Sequence, residues 1–154
     1  MGDVISFAID RSARDASDAA VQDVGIEWGA RRRSVTTVLD TFDGRLHAAG
    51  LQLRVVAGGV RRLVLVGSTN AEQPLPGRAL PRVAADFPAG PVGDRVRQVI
   101  GLRAVAPLGE VSSMRLEAVG GEPDAAPWLV QHQALSLDGH RVQPAVVLEV
   151  RRVP

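Results

Sequence analysis

An α+β fold, an antiparallel sheet of many short strands with a few flanking helices, is predicted by three observations. Apolar and polar residues alternate over short runs between Gly, Pro, Asp and Asn, the period of half-buried strands. A Gly58-Gly59 pair separates two of these runs, which is hairpin punctuation. Only two segments carry a helical period. At 154 residues with 45% apolar content, the chain can bury one core and is too short for two ordinary domains, so residues 1–154 are expected to form a single domain.

Alternation predicts strands near 3–10, 34–39, 50–57, 60–67, 78–84, 103–110, 112–119, 129–137 and 145–152. The first predicted helix begins near Ser12, with Ala13, Ala16, Ala19, Ala20 and Val24 toward one side and Ser12 or Asp15 as cap. The second runs from Pro91 to Ile100. Proline suits its first turn, Val92, Val96, Val99 and Ile100 make an apolar stripe, and Gly101 stops it. The proline-rich segment 68–90 reads as a loop holding a short strand. Loop length sets the hairpin register around Gly58-Gly59. A two-residue loop puts Arg54 opposite Leu63; a three-residue loop ending in a bulged glycine puts Arg54 opposite Arg62 and Gln52 opposite Val64. The second groups Leu51, Leu53 and Val55 with Leu63 and Leu65, and is the register expected. Asp138-Gly139 is a further turn, leading to the last strand through a looser stretch at Pro144.

A net charge of +1 gives no strong field, which argues against a nucleic-acid or membrane-surface binder. All 18 basic residues are arginine, the side chain best matched to carboxylates and phosphates, although a codon bias toward Arg, Ala, Gly, Val and Pro gives the same composition. The absence of cysteine excludes disulfides, thiolate catalysis and cysteine-bound zinc. The first residues, with Asp3 and Asp10 among short apolar runs, do not resemble a signal peptide, and no run is long enough to span a membrane. A cytoplasmic location is expected.

The stretch from Leu39 through Asp40-Thr41 and Leu46 to Gly50-Leu51-Gln52-Leu53-Arg54 resembles a signature of the CYTH, or triphosphate tunnel metalloenzyme, family. Leu63-Val64-Leu65-Val66 stands where that family has Leu-Thr-Leu-Lys. Leu108 to Arg115 is similar to its arginine-bearing strand, and Val147-Leu148-Glu149-Val150-Arg151 to its closing Glu-x-Glu strand. The resemblance implies a closed or nearly closed antiparallel β-barrel, a tunnel, whose charged interior wraps a triphosphate while apolar faces pack outward under helices. It also implies that the chain is a standalone relative or the amino-terminal part of a protein that continues into a CHAD domain. Alternation in 112–119 (Ser113, Arg115, Glu117 against Met114, Leu116, Ala118) and in the last strand fits the tunnel, and equally fits polar faces in water.

Where the family's amino-terminal strand carries Glu-x-Glu-x-Lys, this chain has Ser6, Ala8 and Asp10. Gln52 replaces an arginine, Val66 a lysine, and Arg151 a closing glutamate. Magnesium binds through carboxylates and phosphates, which Ser6 and Ala8 cannot replace, so loss of triphosphate hydrolysis is expected, with no cofactor. What survives is an anion-binding set, Arg54, Arg62, Arg115 and Arg151, each aimed hydrogen bond being worth roughly 1.5–3 kcal/mol. The expected role is a non-catalytic module that binds triphosphate or polyphosphate, or a protein partner. The alternative is a divergent triphosphatase acting on inorganic or organic triphosphates, holding Mg or Mn with Asp10, Glu117 and Glu149. Arginines that only pair with neighbouring carboxylates would be purely structural.

Other constellations are bland. Asp40 and Asp43-Gly44 lack the later ligands of a calcium loop and read as a capped turn. His47, His132 and His140 lack metal-ligand spacing and read as surface or turn residues. Arg31-Arg32-Arg33, with few aromatics to stack on bases, reads as a solvated strand entry. Neither a Gly-x-Ser-x-Gly turn nor a phosphate loop is present.

Overall fold

The computed structural model describes residues 4–9, 29–68, 70–117, 128–137, 140–141 and 146–152, with backbone alone for 4–9, 116–117, 128–135, 141 and 146–152. The helix predicted from Ser12, Asp10, the Asp138-Gly139 turn and Pro144 lie outside the described residues. The chain divides into two compact units, Val35–Glu110 and the combination of Met1–Ser34 with Val111–Pro154.

In the unit 35–110, strand β2 (Arg32–Thr41) leads into a four-residue helix α1 (Arg45–Ala48), then β3 (Leu51–Ala57), β4 (Arg62–Gly67) and β5 (Ala71–Pro74). A 3-10 turn (Ala84–Asp86) and helix α2 (Pro91–Ile100) precede β6 (Val105–Glu117). The strands are hydrogen-bonded in the order β6-β2-β3-β4-β5. The β3–β4 register puts Arg54 opposite Val64, Gln52 opposite Val66 and Val56 opposite Arg62. This corrects the expected register by two residues. Because the shift is even, the faces are as expected: Leu51, Leu53 and Val55 share one side with Leu63 and Leu65, and all five are buried.

That apolar face meets α2, whose bounds match the sequence prediction. Val92, Val96 and Ile100 are wholly buried; the Gly101 N–H makes the last helical bond, to the Arg97 carbonyl at 3.1 Å, and the positive φ at Gly101 then turns the chain out of the helix. Leu39, Leu46, Leu75, Phe87 and Val105 complete the core. Each such side chain contributes about 1.5–3 kcal/mol on leaving water.

Two expectations fail in this unit. No strand forms over 78–84; the short strand of the proline-rich segment is Ala71–Pro74, at the end of the sheet order beside β4. Its inward residue is Gln73, 8% exposed, so the apolar alternation that marks a strand is missing. The Arg61 guanidinium instead holds part of 78–84 by donating to the carbonyls of Gly77 and Ala79, each at 2.9 Å. The strands expected at 103–110 and 112–119 are one strand, β6, since Gly109 alone does not break pairing.

The other unit contains β1 (Val4–Ile9), β7 (Trp128–Leu137), β8 (His140–Arg141) and β9 (Val146–Arg152), ordered β1-β9-β7-β6 with β8 beside β7. β1 and β9 are antiparallel, with Ser6 opposite Glu149 and Val4 opposite Arg151; β7 continues the rows with Gln131 opposite Glu149 and Leu129 opposite Arg151. The architecture is therefore α+β with antiparallel sheet and few helices. Neither strand order closes into a ring among the described residues, so the predicted barrel appears as open sheet. No described helix is long and apolar enough to cross a membrane.

Two exposed carboxylates tie loops in the unit 35–110. Asp43 has its carboxyl held below the usual value chiefly by a hydrogen bond from the Thr41 side chain, then by Arg45 and the charge of Arg103. Asp86 is likewise lowered by accepting the backbone N–H groups of Arg82 and Val83. A depressed folded pKa contributes stability above the unfolded value and loses it as pH falls through the folded one. Urea midpoints are thus expected to be flat near neutrality and to fall below about pH 4, less steeply in Asp43→Asn/Asp86→Asn.

Candidate functional site

The strand pairing sets four polar side chains among Val56, Val64 and Val66 on the side of the sheet opposite the core. Gln52 and Arg54 stand on β3, Arg62 on β4 and Glu72 on β5, with Arg62 and Glu72 diagonal across the β4–β5 pair. The Arg54 guanidinium donates its Nε–H to Gln52 Oε1 at 2.7 Å and its Nη2–H to the same oxygen. Arg62 Nε lies 3.2 Å from Glu72 Oε2, with 49% and 65% of the two side chains exposed. An ion pair that wet contributes at most about 1 kcal/mol to stability. Its main consequence is geometric, because each arginine on this face is held from the side through its Nε.

The remaining predicted residues fall in the other unit. Arg115 is half-buried on β6, two residues from Ser113, which is only 6% exposed, so this stretch of polar alternation is covered rather than lying in water. Glu117 is on the same strand, and Glu149 and Arg151 occupy the β9 rows opposite Ser6 and Val4. Asp10 lies outside the described residues. The structure thus brings Arg54 and Arg62 together on one face, and places Glu149 in register with a serine where the resemblance expects a glutamate.

Glu72 and Gln73 were not singled out in the sequence. Glu72 falls in a segment that reads as loop, and only its opposite charge to Arg62 hints at pairing. Gln73 gives no local signal, since it works on a distant helix: its Oε1 accepts the N–H groups of Val92 (2.8 Å) and Gly93 (3.0 Å), and its Nε2 donates to the Pro88 carbonyl. One buried amide thereby satisfies the first turn of α2.

The motif residues Asp40 and Thr41 are structural, as the capped-turn reading expects. Asp40 Oδ1 accepts the N–H groups of Thr41 (2.7 Å) and Leu46 (2.9 Å), and Oδ2 that of His47 (3.0 Å), while Thr41 Oγ1 accepts the Arg45 N–H at 2.9 Å. Asp43 pairs with Arg45 and Arg103. His47, His140 and Arg31-Arg32-Arg33 are exposed, and no three metal-ligating side chains gather among the described residues.

No family profile matches the chain, and no curated protein matches it. In structure it is similar to a protein from Bacillus halodurans, bh2851, provisionally named an adenylate cyclase, with a TM-score of 0.62 and 16% identity over 98% of this chain and 80% of that one. At that identity, what the two chains share is the fold.

Proposed function

We propose that this chain is a non-catalytic CYTH-like module whose arginine-bearing sheet face binds a phosphate-rich anion, in service of a protein partner or an adjoining CHAD domain in the cytoplasm. The observation that carries the reading is the pair Arg54 and Arg62 on one face of the sheet, Arg54 on β3, which ends the Leu39–Arg54 motif, and Arg62 on the adjoining strand β4. The name of the structural neighbour denotes chemistry on a nucleoside triphosphate, which agrees with a phosphate-binding face. The face proposed consists of Arg54 and Arg62 with their neighbours; Arg115 and Arg151 stand in the other unit.

The residues do not fit a catalytic magnesium or manganese ion. In the β1–β9 rows Ser6 is paired with Glu149 and Ala8 with Val147, so the carboxylates left to the alternative are Glu149, Glu117 on β6 and Asp10, which lies outside the described residues. A hard cation that must also leave room for water and phosphate needs a richer oxygen set. Tripolyphosphate and nucleoside triphosphates are therefore expected to be hydrolysed no faster than in buffer, with or without magnesium. Tripolyphosphate should raise the melting temperature, less so in Arg54→Ala and at high salt. Metal-dependent turnover that vanishes in Glu149→Ala would restore the triphosphatase alternative.

A further inference from the structure

We infer that Gln52 and Glu72 are positioning residues that brace Arg54 and Arg62 so that the pair accepts one terminal phosphoryl group end-on, rather than wrapping a whole triphosphate; this rests on the anion-binding reading above. Gln52 Oε1 takes the Nε and Nη2 side of the Arg54 fork, so the edge left to a ligand is the Nη1–Nη2 end. Glu72 takes Arg62 by Nε and leaves the same end. Arg54 faces Val64 and Arg62 lies two residues further along β4, a diagonal placement. Such diagonal neighbours stand about 7–8 Å apart at the backbone, close enough for two guanidinium ends to reach oxygens of one tetrahedral group.

Charge limits what the face can take. Two arginines against one glutamate leave a single net positive charge, suited to a phosphate monoester or the end of a polyphosphate and short of the four negative charges of a free triphosphate chain. Glu72 therefore acts as a selector: it orients Arg62 and repels further phosphates. Gln52 orients without adding charge, where an arginine at that position would extend the cationic wall.

Titration calorimetry of the intact chain with inorganic phosphate and with tripolyphosphate tests this, together with the ¹⁵N spectrum of the arginine Nε–H groups. The parent protein is expected to bind the two anions within about threefold of each other, since both engage through one phosphoryl group. Glu72→Gln should favour tripolyphosphate by about fivefold or more relative to phosphate, by removing a like charge. Gln52→Ala should move the Arg54 Nε–H signal, speed its exchange and weaken both anions. Tripolyphosphate binding more than about a hundredfold tighter than phosphate in the parent, unchanged in Glu72→Gln, would overturn the selection. An unmoved Arg54 signal in Gln52→Ala, with anion binding intact, would overturn the brace alone. Neither anion binding to the parent, with the signal still moved by Gln52→Ala, would instead remove the anion-binding reading and the ligand class with it.

Discussion

Asp40→Ala is expected to cost about 3 kcal/mol, because one buried carboxylate accepts three backbone N–H groups. Asp40 is 4% exposed, and helix α1, which it caps, is only four residues long. A helix that short has no stability of its own and depends on the cap and on the burial of Leu46. Asp40→Asn separates the contributions. Its oxygen can keep the Thr41 and Leu46 N–H groups while its amide nitrogen cannot accept from His47, so a loss of about 1 kcal/mol is expected. Urea denaturation measures both, and the alanine variant should also melt about 6–12 °C lower. Equal midpoints for the two variants would show that the carboxylate does not hold the turn.

Gly93→Ala is expected to destabilise by about 3 kcal/mol or more, against the direction that helix propensity predicts. Alanine is favoured over glycine within a helix by about 1 kcal/mol, and position 93 lies inside α2. The added Cβ, however, would sit 2.0 Å from the carbonyl oxygen of Pro88. That oxygen is backbone, and it is fixed from the other side by the Gln73 amide at 3.1 Å. Relief requires moving the first turn of α2 away from the segment that precedes it, which opens the Gln73 bonds to Val92 and Gly93. Gln73→Leu loses the cap without the clash and should cost about 2 kcal/mol, leaving unpaired N–H groups in a buried place. A Gly93→Ala protein as stable as the parent in urea would show that the first turn of α2 yields to the added methyl group without loss.

Helix α2 was legible because three independent signals agree: proline at its start, an apolar stripe and glycine at its end. The faces of β3 and β4 were legible for a different reason. Alternation defines which residues share a side, but it is blind to even shifts, so the face assignment held while the register moved by two. β5 was not legible, since its buried position is held by Gln73, whose reward is a hydrogen-bond network on a helix twenty residues away. The same blind spot hid the site's second layer. Arg54 and Arg62 could be placed on a polar face from the sequence, while their partners Gln52 and Glu72 follow only from side-chain geometry and strand pairing.

The pairing of β1 with β9 has a consequence for the nascent chain. Val4 to Ile9 find their partners at Val146 to Arg151, whereas every buried apolar side chain among the described residues lies between Leu39 and Val105. At ordinary elongation speeds the ribosome needs on the order of ten seconds to travel from one strand to the other. Over that interval the central unit can complete its core. The segment Val-Ile-Ser-Phe-Ala-Ile meanwhile has no charge, no proline and high β-propensity, the profile of a segment that recruits copies of itself. Slower elongation or a lower expression temperature is therefore expected to change the soluble yield, and a charge placed in this segment to reduce that sensitivity.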